Sequence, residues 1–126
     1  MTTSLAEKKC IPCEGDVPAL SDAEAQNLLK QVQGWRIEKP QGGEPRIEKT
    51  FKFDGFMPAV DFVNQIARIA EDEGHHPDLY VKWGEVRVML WTHAAKGLTE
   101  NDFILAAKID KQLSTREAGA QGVRGR

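Results

Sequence analysis

Pro58-Ala-Val-Asp-Phe-Val-Asn-Gln-Ile-Ala-Arg-Ile-Ala-Glu-Asp-Glu73 carries apolar side chains at Val60, Phe62, Val63, Ile66, Ala67, Ile69 and Ala70. Spacings of three and four give one broad apolar stripe, so this stretch reads as a central helix that needs a sheet to cover. Proline is tolerated in a first helical turn, and Gly74 follows Glu73, which bounds the helix. Alternation replaces the helical period on both sides. Upstream, Trp35-Arg-Ile37 and Arg46-Ile-Glu-Lys-Thr-Phe51-Lys-Phe53 are joined by the turn-rich Pro40-Gln-Gly-Gly-Glu-Pro45 and form an expected hairpin. Downstream, Leu79-Tyr-Val-Lys-Trp83 and Glu85-Val-Arg-Val-Met-Leu-Trp-Thr-His93 flank Gly84 and form a second.

Two further helices complete the pattern. Ser21 with Glu24 three residues later is a capping box, and Leu28, Leu29 and Val32 recur at helical spacing, predicting a helix over Asp22 to Gln33. Thr99 with Asp102 predicts a cap for a last helix through Phe103, Leu105, Ala106 and Ile109. The order is α-β-β-α-β-β-α. Neighbouring strand pairs separated by helices imply an α+β fold, a four-stranded antiparallel sheet with three helices on one face.

At 126 residues the chain has enough apolar material for one core and one domain, 1–126. The formal net charge of −2, with both signs interspersed, offers no footprint for a phosphate backbone or an anionic membrane, so neither nucleic acid nor membrane is an expected partner. No apolar run approaches the roughly 20 residues of a membrane span, and the first residues lack a secretory apolar stretch, which leads us to expect a cytoplasmic protein. Cys10-x-x-Cys13 is half of a four-ligand zinc site and too little for a disulfide framework. It is read as two reduced thiols on a flexible N-terminal arm of about residues 1–18. Beyond Leu113 apolar periodicity stops, and a disordered tail of about residues 114–126 is expected.

All three histidines, His75, His76 and His93, fall within this central region, although a four-stranded sheet does not require them there. Histidine alone has an unperturbed pKa near neutrality, about 6.5, so one imidazole can hold a proton while its neighbour accepts one. Pro77 biases His76 toward extended backbone, and two extended neighbours project to different sides. In the last strand, Val86, Val88 and Leu90 share one face, and Arg87, Met89, Trp91 and His93 the other, with His93 at the strand's end. Met89 and Trp91 then fit a ligand wall, a subunit contact or scattered surface hydrophobicity equally.

Glu71, three intervening residues, His75-His76-Pro77, then Tyr80, and later Thr92-His93, Gly97-Leu98-Thr99 and Asp102 resemble the pterin-4a-carbinolamine dehydratase family. Gly34-Trp35, Phe51-x-Phe53 and the order of elements extend the resemblance over about Leu20 to Leu113. The resemblance implies a sheet with helices on one side, assembly into a homodimer or homotetramer, and no metal or organic cofactor. It implies dehydration of 4a-hydroxytetrahydrobiopterin to the quinonoid dihydropterin, with a functional link to phenylalanine hydroxylase. Carried onto this chain, His75 and His93 transfer protons and His76 binds or polarises the pterin, with acid and base roles open. Glu71 and Asp102 orient an imidazole or bind the pterin edge, Trp35 supplies a wall or, more simply, packs in the core, and Thr92 and Pro77 complete the substrate-binding set. Trp91 occupies a position where smaller residues also occur in the family, and the Cys10 arm is similar to extensions of bacterial members.

Two other functions compete. A zinc hydrolase would use His75, His76 and His93 as ligands, though adjacent residues before a proline converge poorly on one ion. A non-enzymatic partner would use the same fold as a dimerisation cofactor, as animal members of the family do for a homeodomain transcription factor.

Overall fold

The computed structural model describes residues 4–10 and 18–118. The helices are α1 (Asp22–Leu29), α2 (Phe56–Glu73) and α3 (Glu100–Ala118), and the strands β1 (Arg36–Glu38), β2 (Arg46–Lys52), β3 (Asp78–Lys82) and β4 (Glu85–Leu90). Their order is the expected α-β-β-α-β-β-α. The strands form one antiparallel sheet in the order β1-β2-β4-β3.

Register decides which face is covered. Ile47 pairs with Leu90, Lys49 with Val88 and Phe51 with Val86, so these six side chains share a face. Val86, Val88, Leu90 and Ile47 are wholly buried beneath the helices. Lys49 lies on that face despite its charge because its ammonium reaches the edge, bonding Asp110 at 2.8 Å and the Gln33 carbonyl at 2.9 Å. On α2, Phe62, Ile66 and Ala70 of the expected stripe are buried, together with Ala59, whereas Ala67 faces solvent. The Phe62 ring lies 4.9 Å from Phe51 and 5.2 Å from Phe53, which ties α2 to the end of β2. Gly84 closes the β3–β4 hairpin at φ 72°, and a Cβ there would meet the Phe53 carbonyl at 3.1 Å. Glycine is needed on both counts.

Several boundaries differ from expectation. The first helix ends at Leu29 rather than Gln33, because Gln31 and Val32 bond back to Leu28 and Leu29 in tighter turns. The last strand ends at Leu90 rather than His93, since its pairing with β2 stops at Ile47. Thr92 instead bridges Gly97, and His93–Ala95 forms a 3₁₀ turn. The last helix continues to Ala118, into the stretch expected as a disordered tail; residues 119–126 lie outside those described.

Residues 4–10, expected to belong to a flexible arm, are docked. Leu5–Glu7 form a 3₁₀ turn with Leu5 buried in the core, and the Ala6 carbonyl accepts Lys108 Nζ at 2.8 Å. The Cys10 N–H donates to Glu73 Oε1 at 2.8 Å. Cys13 and the rest of the expected arm to residue 17 lie outside the described residues.

Burial works to raise the Glu73 pKa, but the Cys10 N–H, Lys108 and Lys9 outweigh it and hold the carboxyl below the usual range. A carboxyl depressed on folding stabilises the native state above its unfolded pKa, roughly 4.3, and loses that contribution as pH falls through the folded value. The stability advantage of wild type over Glu73→Gln is therefore expected to be constant near neutrality and to shrink in acid below that point. Urea unfolding of both proteins across pH 7 to 3 measures it; an advantage that grew in acid would contradict the assignment.

Candidate active site

The site forms where α2 ends. Gly74 adopts the left-handed conformation at φ 67°, and both Gly74 and His75 return their N–H groups to the Ala70 carbonyl. This reversal sends His75 inward, at 8% exposure, while His76 stays exposed. Residues leaving α2 then meet residues leaving β4 around a hollow of about 410 Å³, lined by His75, His76 and Pro77 on one side and by Trp91, Thr92 and His93 on the other. That volume lies within the usual range for small-molecule sites, roughly 300–1,000 Å³.

His75 is held by a buried relay. Its Nε2 lies 2.6 Å from Asp102 Oδ1, and Asp102 is wholly inaccessible. Asp102 Oδ2 accepts the Thr92 hydroxyl and the Thr99 N–H, both at 2.9 Å. Since Thr92 spends its one proton on Asp102, the Thr99 hydroxyl, 2.8 Å away, donates to Thr92 Oγ1. The Thr99-x-x-Asp102 pattern thus caps α3 in one direction only: the carboxylate takes the Thr99 N–H, while the Thr99 side chain turns to Thr92. With both oxygens of Asp102 acting as acceptors, His75 Nε2 carries the hydrogen, so that in the neutral form of the ring Nδ1 is the lone-pair nitrogen.

The other two histidines are less constrained. His76 Nε2 lies 2.7 Å from Glu71 Oε2, with both side chains more than half exposed. Solvent screens such a pair, which orients the ring more than it stabilises the fold. His93 is exposed, and its ring lies 4.0 Å from that of Trp91, tilted by 42°. Trp91 is itself positioned by an indole N–H to Asp78 Oδ2 at 3.3 Å and by the Arg46 guanidinium 5.2 Å from its ring centroid.

Of the residues expected at the site, His75, His76, Pro77, Thr92 and His93 line the hollow, and Glu71 and Asp102 touch it through histidines. Asp102 is too deeply buried to bind the pterin edge and acts on His75 instead. Trp35 is not part of the site: it is buried in the core, edge-on to Phe51 at 6.1 Å, with its indole N–H on Asp110 at 2.9 Å. Sequence reasoning missed Asp78 and Asn101, which also line the hollow. Asp78 had a local signal, as the residue after Pro77; Asn101 had none. Among the described residues, no three His, Cys, Asp or Glu side chains converge to hold a metal ion, and no helix is long and apolar enough to cross a membrane.

Fold and site together define a small α+β domain built around a histidine-lined ligand hollow. Residues 18–112 match the family model described as pterin 4 alpha carbinolamine dehydratase, and the chain belongs to that family. A relative from Rickettsia canadensis (strain McKiel), provisionally named a pterin-4-alpha-carbinolamine dehydratase, is 50% identical over 112 residues, 88% of this chain and 99% of its own. A similarly named protein from Rubrobacter xylanophilus is 41% identical over 109 residues, 86% of this chain and 98% of its own. Among solved structures, a transcriptional coactivator/pterin dehydratase from Brucella melitensis superposes with a TM-score of 0.66 at 35% identity, covering 74% of this chain and 96% of that one. A pterin dehydratase-like RuBisCO assembly factor of the alpha-carboxysome shares the fold at a TM-score of 0.53 and 22% identity, covering 63% of this chain and 88% of its own.

Proposed function

We propose that the protein dehydrates 4a-hydroxytetrahydrobiopterin, or a closely related 4a-carbinolamine, to the quinonoid dihydropterin by histidine acid-base catalysis. The observation that carries this reading is the convergence of His75, His76 and His93 on one hollow, with His75 backed by a buried carboxylate. The reaction breaks the C4a–O bond, forms a C4a=N5 double bond, transfers the N5 proton to a base and releases the hydroxyl as water after protonation. His75 suits the base: its Nδ1 lone pair is fixed by the Nε2–H bond to Asp102, which also stabilises the imidazolium as it forms. His93 suits the acid, because it lines the hollow and is exposed, open to proton exchange with water. His76, aligned by Glu71, is assigned to the polar edge of the pterin.

Purified protein should accelerate the decay of a synthetic 4a-hydroxytetrahydropterin; decay at the buffer rate under saturating protein would refute the reading. Trp91→Ala should raise KM about 3- to 10-fold through loss of an aromatic contact, with a smaller effect on kcat, as steady-state kinetics would show. Assembly as a homodimer or homotetramer, a cytoplasmic setting and a link to phenylalanine hydroxylase belong to the same proposal, and light scattering of the purified protein tests the first.

A further inference from the structure

The direct bonds between the two helices that support the site, Lys108 to Glu73 at 3.6 Å and Gln112 to Gln65 at 2.5 Å, leave the start of α3 to be held by other contacts. His75 follows the C-terminal end of α2 by two residues, and Asp102 lies in the first turn of α3. Their 2.6 Å contact therefore requires those two helix ends to hold a fixed separation. The docked N-terminal segment spans that gap. Cys10 N–H bonds Glu73, the last residue of α2, at 2.8 Å, and Cys10 Sγ lies 3.7 Å from the Asn101 carbonyl of α3. Lys8 pairs with Glu100, the first residue of α3, at 2.7 Å. Lys108 of α3 reaches both Glu73, at 3.6 Å, and the Ala6 carbonyl, at 2.8 Å. Leu5, buried in the core, anchors the segment behind these contacts.

The geometry points to residues 4–10 as a positioning clamp, which ties the end of α2 to the start of α3 and so sets the alignment of His75 with Asp102. The strength is unevenly distributed. Lys8 and Glu100 are each well exposed and contribute little. The Glu73 side chain is only 7% exposed, so its bond to Cys10 N–H is the one whose loss leaves a buried carboxylate short of a donor. The anchor residue is thus Cys10 through its backbone rather than its thiol. Asn101 both receives the segment and lines the hollow, which places the clamp one residue from the substrate.

Cys10→Pro in the full chain removes the N–H donor, and Cys10→Ala removes the thiol while retaining it. The first readout is the NMR signal of the His75 Nε2 proton, which reports the bond to Asp102 without any substrate. The second, kcat, rests on the dehydratase reading, so a chain without that activity still answers through the first. Cys10→Pro is expected to shift or broaden the His75 signal and to lower kcat on the order of 10-fold, the scale of a slightly misplaced catalytic group, with KM nearly unchanged. Cys10→Ala should match wild type in both. Should Cys10→Pro fail to fold, Glu73→Gln, which keeps an acceptor for the Cys10 N–H, is compared with Glu73→Ala, which does not; the amide should preserve the His75 signal and the alanine should not. An unperturbed His75 signal in a folded variant whose residues 5–8 exchange their amides freely would overturn the proposal.

Discussion

His75→Ala is expected to lower kcat by about 10²- to 10³-fold, within the range that one positioned acid or base supplies. The size follows from how the ring is held. His75 is the one histidine of the three that is buried and bonded to a wholly buried carboxylate, so its tautomer and direction are set before substrate arrives. His76→Ala should cost far less, about 3- to 10-fold, because an exposed ring paired with an exposed Glu71 is only loosely preorganised. The folded state should survive the change. Loss of the imidazole strips Asp102 Oδ1 of its partner, at about 1–3 kcal/mol, yet Oδ2 keeps both of its donors. Stopped-flow decay of the carbinolamine, with urea unfolding of the same samples, separates the two effects. A folded His75→Ala chain working at the wild-type rate would remove His75 from the chemistry.

The fold was legible because its signals are local. A 3.6-residue stripe on α2 and alternation in β2 and β4 report directly which face each element buries, and Gly74 and Gly84 mark reversals only glycine makes easily. Misreadings fall where distant partners decide. Alternation continues smoothly through Trp91 to His93, but the pairing of β4 with β2 stops at Leu90, Thr92 bridges Gly97 instead, and His93 sits on a 3₁₀ turn rather than a strand. Trp35 reads as either a wall for a flat ring or core packing; the choice is made by Asp110, 75 residues later, which claims its indole N–H and which no local period reveals. The docking of residues 4–10 was hidden in the same way, since the polar contacts that hold the segment come from Glu73, Glu100, Asn101 and Lys108, at least 63 residues away in sequence. The three histidines were legible as a cluster, but not their inequality. Burial of one and exposure of two is set by the turn at Gly74 and the hollow's depth, not by residue type.

Asp102 concentrates the remaining argument, because the same Thr99-x-x-Asp102 spacing serves a helix cap and a buried relay. Asp102→Ala deletes an acceptor for three donors in a dry position, and a loss of about 3–5 kcal/mol is expected, from summed unsatisfied groups. Asp102→Asn is more informative because it keeps the shape. Two donors converge on Oδ2, the Thr92 hydroxyl and the Thr99 N–H, whereas one faces Oδ1. The amide therefore places its single carbonyl oxygen at the Oδ2 position and its NH₂ toward His75. Nε2 must then accept rather than donate, which moves the ring hydrogen to Nδ1, the nitrogen that needs to be bare to take the N5 proton. Stability should fall by only about 1–2 kcal/mol, while kcat falls on the order of 10²- to 10³-fold because the lone pair is on the wrong nitrogen. Imidazole ¹⁵N chemical shifts distinguish the tautomers directly, and kinetics with urea unfolding give the other two quantities. If the asparagine protein kept its rate, or kept hydrogen on Nε2, the carboxylate would be a helix cap that happens to touch a histidine.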